Sequence, residues 1–184
     1  MDVLVDSLFL FSKLDTGQFP FKFNIVNMQE YIKSFYEHVK TEFYGKDVEV
    51  SFENKCKNVT MVKLDTQEMK RVLLNILDNS VKYKEKSKEK IKVKINLYEK
   101  EEFVVLEFSD NGTGVPDKDL SKLFLSFYRV DVSRTNPNEG SGLGLSIAKH
   151  IIEAHDGEIT AYNMDGLTIK IVLPKALNKG LTKI

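Results

Sequence analysis

Asn75-Ile76-Leu77-Asp78-Asn79-Ser80-Val81-Lys82-Tyr83 closes a helical stretch that begins at Thr66. Met69, Val72, Leu73, Ile76, Leu77 and Ser80 recur on one face at the 3.6-residue period, which predicts a helix over Thr66 to Tyr83 with that face in a core. Asn75, Asn79 and Lys82 share a second stripe, within about 60° of one another and about 120° from the first. Asparagine is a mediocre helix former. Two of them at i, i+4 in the best helix of the chain point to a demand for carbonyl oxygens, such as a hydrated Mg²⁺, beside a lysine for phosphate charge. For this segment alone, a solvated helix face is the plain alternative.

Downstream, Lys90-Ile91-Lys92-Val93-Lys94-Ile95-Asn96-Leu97 alternates with a period of two, and Phe103 to Phe108 follows as its hairpin partner. Directly after comes Asp110-Asn111-Gly112-Thr113-Gly114-Val115-Pro116. A carboxylate at a strand end can accept from an exocyclic amine such as that of adenine, and glycines let backbone approach a flat ring. Asp-Asn-Gly is equally a common turn. Leu123-Phe124-Leu125-Ser126-Phe127-Tyr128-Arg129 anchors the next loop by Phe124 and Phe127, leaving Arg129 and Arg134 to reach phosphate oxygens or simply solvent. The polar stretch Asp131 to Glu139 reads as a mobile loop. It runs into Gly140-Ser141-Gly142-Leu143-Gly144-Leu145-Ser146, which opens a helix bearing Ile147, Ala148, Ile151 and Ile152. Free N–H groups at such a start, cleared of side chains, suit an anion. No strand precedes these glycines and no Gly-Lys-Ser/Thr occurs, so they form neither a dinucleotide fingerprint nor a P-loop. Asp165-Gly166 marks a closing hairpin.

Upstream, Val3 to Phe11 is an apolar helix interrupted by Asp6 and ending at Lys13, far short of the ~20 apolar residues of a membrane span. It is expected to pack against something and to be the end of a longer helix. Asp15-Thr16-Gly17 and Pro20 break it. A strand over Phe21 to Val26, a helix over Met28 to Phe43 and short strands at Val48 to Phe52 and Val59 to Val62 follow. With 184 residues, 42% hydrophobic and 29% charged, the chain suits one main globular domain. Lys plus Arg (27) equals Asp plus Glu (27), which removes the electrostatic case for a nucleic-acid surface. The lone Cys56 has no disulfide partner and no metal-ligand spacing around it.

In order and spacing, the four constellations closely resemble the N, G1, F and G2 boxes of the sensor histidine kinases, members of the superfamily that includes gyrase, the Hsp90 chaperones and MutL. The resemblance spans residues 20 to 174, and Val3 to Phe21 looks like the last turns of a dimerisation helix plus linker, dividing the chain into 1–19 and 20–184. It implies an α/β two-layer sandwich of the Bergerat type: a mixed, mainly antiparallel sheet with three helices on one face. It further implies ATP and Mg²⁺ as cofactors. Asn79 would coordinate Mg²⁺, with Asn75 and Lys82 beside metal and phosphates. Tyr83 would stack near adenine, Asp110 would bind its amino group, and Gly112 and Gly114 would shape the pocket floor, with Val115 and Phe124 also counted in the site. Gly140, Gly142 and Gly144 would let the lid close, Leu143 and Leu145 would pack beneath, and Arg129 would contact the γ-phosphate.

Where hydrolytic relatives carry a water-activating glutamate, this chain has Asn75, which cannot act as a general base. Weak hydrolysis and phosphoryl transfer to a protein are therefore expected. None of His38, His150 or His155 has the sequence context of the family's acceptor histidine. The expected partners are a dimerisation helix carrying the acceptor and a response regulator, within a cytoplasmic region of a membrane-bound homodimeric parent. A silent nucleotide-binding module and an anti-sigma type serine kinase are the competing readings. The lysine-rich run Lys82 to Lys94 is expected to be a solvated face.

Overall fold

The computed structural model describes residues 3–43, 47–83, 89–130 and 141–176. Inside them, a five-stranded sheet has the order β2 (Val48–Asn54), β4 (Ile91–Lys100), β5 (Phe103–Asp110), β7 (Leu167–Pro174), β6 (Glu158–Asn163). Only β2 and β4 run parallel; every other neighbouring pair is antiparallel. This is the mixed, mainly antiparallel sheet that the family resemblance implies.

Register explains which face is covered. Leu97, Leu106 and Ile171 lie opposite one another across three strands, as do Ile95, Phe108 and Ile169. Because side chains alternate, both rows point to the same side, where they are buried beneath the helices. That layer is built from α2 (Met28–Glu42), α3 (Thr66–Lys82) and α5 (Gly144–Ala154). Met28, Ile32 and Val39 of α2, Met69, Val72, Leu73 and Leu77 of α3, and Ala148, Ile151 and Ile152 of α5 have no exposed surface. The opposite side of the sheet is polar, with the Tyr98 and Tyr162 hydroxyls both donating to Glu107 Oε1 at 2.9 and 3.1 Å.

The caps set the helix starts. Asn27 accepts from the N–H groups of Gln29 and Glu30 at the start of α2. At the start of α3, Asp65 Oδ1 accepts from Gln67 and Glu68, and its Oδ2 from the N–H of Lys22 at 2.7 Å. His155, just past α5, accepts the Asp65 N–H at Nε2 (2.9 Å) and donates from Nδ1 to the Ile151 carbonyl (2.7 Å). It is a buried neutral imidazole joining two helices, and burial lowers its pKa.

Two boundaries differ from the sequence reading. The first strand begins at Asn24 rather than Phe21 and pairs antiparallel with β3 (Met61–Leu64) in a separate two-stranded sheet. Phe21 and Phe23 instead stack on each other and meet the His155 ring edge-on, so aromatic packing takes this segment out of extended pairing. β3 itself begins at Met61, because the N–H groups of Lys57 and Asn58 bond to Glu99 Oε1 and Val59 is left 71% exposed.

The N-terminal helix α1 (Val3–Asp15) lies along α5. Leu14 is buried, and the Phe11 ring meets His150 edge-on at 5.4 Å and Phe127 at 6.4 Å. Leu4, Val5, Leu8 and Phe9 remain exposed on the other side of α1. Among the described residues, no helix is long and apolar enough to cross a membrane.

Candidate nucleotide-binding site

Two rows that are apolar along most of their length turn polar where they meet. On β5 the inward row Leu106, Phe108 continues to Asp110, and on α3 the buried face ends in Ser80. The Ser80 hydroxyl donates to Asp110 Oδ2 at 2.9 Å. Asp110 Oδ1 accepts from the backbone N–H groups of Gly112 (2.9 Å) and Leu167 (3.0 Å). Three donors from three elements thus orient one carboxylate at the mouth of the sandwich.

Glycine is required around it by close approach. A Cβ on Gly112 would sit 3.0 Å from Asp110 Oδ1 and 3.1 Å from the Tyr83 carbonyl oxygen. One on Gly166 would sit 2.5 Å from both Asp110 Oδ1 and the Gly112 nitrogen. The loop after β5 is tied on one side by Asn111, whose Oδ1 accepts the Lys92 N–H at 2.7 Å. On the other side Asn163 bonds to Val115.

The amide stripe of α3 faces the start of α5. Asn75 donates from Nδ2 to the Gly144 carbonyl at 3.1 Å, and a Cβ on Gly144 would only touch the Asn75 amide, at 3.7–3.9 Å. Asn79, one turn on, is half-buried, and its backbone carbonyl accepts the Tyr83 N–H at 3.0 Å. Lys82 is exposed at the end of α3, and Tyr83, the residue after it, is 42% exposed. Leu143 caps α5 without a side-chain hydrogen bond, and the first turn carries no acid, so the helix start is open to an anion. Leu143 is fully buried, and Leu145 and Phe124 pack partly buried against the core. Gly142 has φ +73°, and its missing Cβ would lie 2.9 Å from the Phe127 carbonyl carbon; its own carbonyl accepts the Phe127 N–H at 3.1 Å. Arg129 is half-buried. Gly140, Arg134 and the stretch Asp131 to Glu139 lie outside the described residues, as does part of the Lys82 to Lys94 run.

Among the described residues no group of three His, Cys, Asp or Glu could hold a metal ion. A cation here would have to be held by amide oxygens and by the ligand it accompanies. Two cavities stand apart from this site, one of about 190 Å³ beside Phe23, Lys63 and His155 and one of about 370 Å³ beside Tyr36 and Phe52.

Of the residues singled out in the sequence, the structure brings Asn75 against Gly144, Asp110 against Gly112, and Gly142 against Phe127. Sequence reading missed Ser80, counted only as a member of the buried face; it took Gly166 as part of the closing hairpin turn and did not single out Asn163. A hydroxyl in an otherwise aliphatic helix face was the available signal for Ser80; Asn163 gave none.

A sandwich whose helix layer and strand ends converge in this way defines a class, the ATP-binding α/β sandwiches. Residues 64–177 match the histidine kinase-, DNA gyrase B- and HSP90-like ATPases, and the chain belongs to that family, which makes ATP its ligand. It is 33% identical over 174 residues to the sensor histidine kinase WalK of Bacillus subtilis (strain 168), covering 93% of this chain and 28% of that protein. It is 31% identical over 176 residues to the sensor protein KdpD of Clostridium acetobutylicum, covering 95% and 19% respectively. The chain therefore spans less than a third of the length of these curated relatives. The solved catalytic domain of histidine kinase ThkA superposes with a TM-score of 0.69 at 26% identity, covering 84% of this chain and 96% of that domain.

Proposed function

We propose that this chain is the ATP-binding catalytic part of a sensor histidine kinase, which passes the γ-phosphoryl group of ATP to a histidine supplied by a dimerisation helix. The observation that carries this reading is Asn75. An amide cannot take a proton from water, and here it is bonded to the Gly144 carbonyl, so the position favours phosphoryl transfer over hydrolysis. The chain's own histidines are otherwise engaged. His155 is buried, His150 donates from Nδ1 to the Ser146 carbonyl on α5, and His38 stands beside Glu42 on α2.

The residues present fit Mg²⁺. The Asn79 amide bonds to no other group among the described residues, and neutral carbonyl oxygens suit a hard cation that keeps several waters. Bound Mg²⁺–ATP would supply the transferable phosphoryl group and a metal charge to offset its negative charge. The chain would do the rest. Asp110, held by Ser80, Gly112 and Leu167, accepts from the purine amino group; Tyr83 lies beside the ring and Gly114 and Val115 form the floor. Asn79, together with Asn75, would hold the metal, and Lys82 and Arg129 would balance phosphate charge. The N–H groups at the start of α5, after Gly142, would receive the phosphates.

We further propose that residues 1–19 are the end of a dimerisation helix with its linker and 20–184 the catalytic domain. The exposed apolar side of α1 supports this. The parent would be a membrane-bound homodimer with this part in the cytoplasm, and its phosphohistidine would serve a response regulator; ThkA has been solved with the response regulator protein TrrA. The test incubates the chain with γ-labelled ATP, Mg²⁺ and the parent's acceptor-helix domain. Acid-labile, base-stable label on that domain supports the proposal, and rapid release of free phosphate without label transfer defeats it.

A further inference from the structure

The purine-side loop is ordered by a residue that no motif contains. Asp110 to Pro116 leaves the sheet at the end of β5 and has no ladder of its own until α4 (Asp117–Leu120). Its middle must therefore be held by side chains. At Val115 both backbone groups are taken by one amide: the Val115 N–H donates to Asn163 Oδ1 at 3.0 Å, and Asn163 Nδ2 donates to the Val115 carbonyl at 2.6 Å. This reproduces the two-bond exchange of an antiparallel ladder with a side chain in place of a strand. The same Nδ2 also donates to Asp117 Oδ1 at 3.2 Å, reaching the first residue of α4.

Two further facts show that this is a fitted clamp. Gly114 adopts φ +68°, and a Cβ there would lie 2.9 Å from Asn163 Oδ1, so the loop comes close to β6 where it carries no side chain. The hairpin between β6 and β7 does not need the Asn163 amide, since Met164 N–H to Gly166 carbonyl closes the turn at 2.9 Å. The next residues of that hairpin bear on the same loop, Leu167 through its N–H to Asp110 Oδ1 and Gly166 by an approach so close that a Cβ there would lie 2.5 Å from the Gly112 nitrogen.

We propose that Asn163 is a positioning residue for base recognition: its amide sets the height of Gly114 and Val115 above the purine, while the hairpin behind it sets the angle of Asp110. The proposal rests on the assignment of the Asp110 loop to the purine. The Asn163 amide bonds to Val115 and Asp117 and to no residue of the α3 amide stripe or of the glycine loop, so its loss is expected to act on the base side.

The test measures ADP and IDP affinity of the full chain by calorimetry with Mg²⁺ well below the unfolding temperature, where a merely destabilised protein would bind as the wild type does. IDP replaces the amino group by a carbonyl. Wild type is expected to prefer ADP. Asn163→Ala is expected to weaken ADP about tenfold, as for losing a bonded pair at a site, and to shrink the ADP-to-IDP preference. Asn163→Asp, isosteric and more apt to fold, keeps the acceptor but turns an oxygen toward the Val115 carbonyl and Asp117, and is expected to fall at least as far. Amide exchange at Val115 accelerates in both variants while Leu106 stays protected. An ADP loss under threefold in either variant, or unchanged exchange at Val115, overturns the clamp. A wild type that binds ADP no better than IDP instead overturns the purine assignment.

Discussion

Asn75, in the middle of α3, holds the first residue of α5 through a 3.1 Å hydrogen bond from its side-chain nitrogen to the Gly144 carbonyl. The helix bearing the amide stripe and the helix opened by glycines are thereby set at one spacing. Asn75→Asp replaces the donor by an oxygen facing that carbonyl. ADP affinity is expected to fall about tenfold with the fold intact, read by nucleotide titration alongside circular dichroism.

Asn79→Ala removes the one amide of the stripe that has no partner among the described residues. The expected result is that Mg²⁺ no longer strengthens nucleotide binding. Titrations of ADP with magnesium and with EDTA should then coincide; a persisting magnesium effect would remove Asn79 from the metal site.

Asp110→Asn puts a donor among three existing donors, from Ser80, Gly112 and Leu167. One of them is left unbonded, at a cost of about 1–3 kcal/mol, and the acceptor for an amino group is weakened. Adenine selectivity, measured as the ADP-to-IDP affinity ratio, should drop toward one.

Gly166→Ala would place a methyl group 2.5 Å from Asp110 Oδ1 and from the Gly112 nitrogen. The backbone there must move, so urea unfolding should show a loss of about 1–3 kcal/mol, accompanied by weaker ADP binding.

His155 makes stability depend on pH. Burial lowers its folded pKa below the usual 6.5. Between the two values the unfolded chain binds more protons, so stability is complete above about pH 6.5 and declines as pH falls through the folded value. Urea midpoints between pH 7.5 and 5.5 should decrease in the wild type and change less in His155→Gln, which lowers stability at every pH by disturbing the bonds to Asp65 and Ile151.

The order of elements was legible because periodicity reports burial locally. The α3 stripe and the alternating runs at Ile91 to Leu97 and Phe103 to Phe108 each gave the correct type of element. The candidate site residues that sequence could single out, the asparagines of α3 and the glycine loops, lie likewise in runs that carry their own pattern. Where the reading slipped, at Phe21 and Val59, distant partners decided: the His155 ring for one and the Glu99 carboxylate for the other.

The chain alone therefore determined the helices, the strands and the chemical character of each loop, since propensity and amphipathicity are properties of neighbours in sequence. Only the tertiary structure decided that Ser80 and Leu167 would aim Asp110, that Asn75 would reach Gly144, and that Asn163 would stand in for a strand beside Val115. Those contacts join residues 30 to 69 positions apart. No local signal encodes such pairs, because they form only once the sheet order brings β5, β7 and β6 side by side beneath α3 and α5.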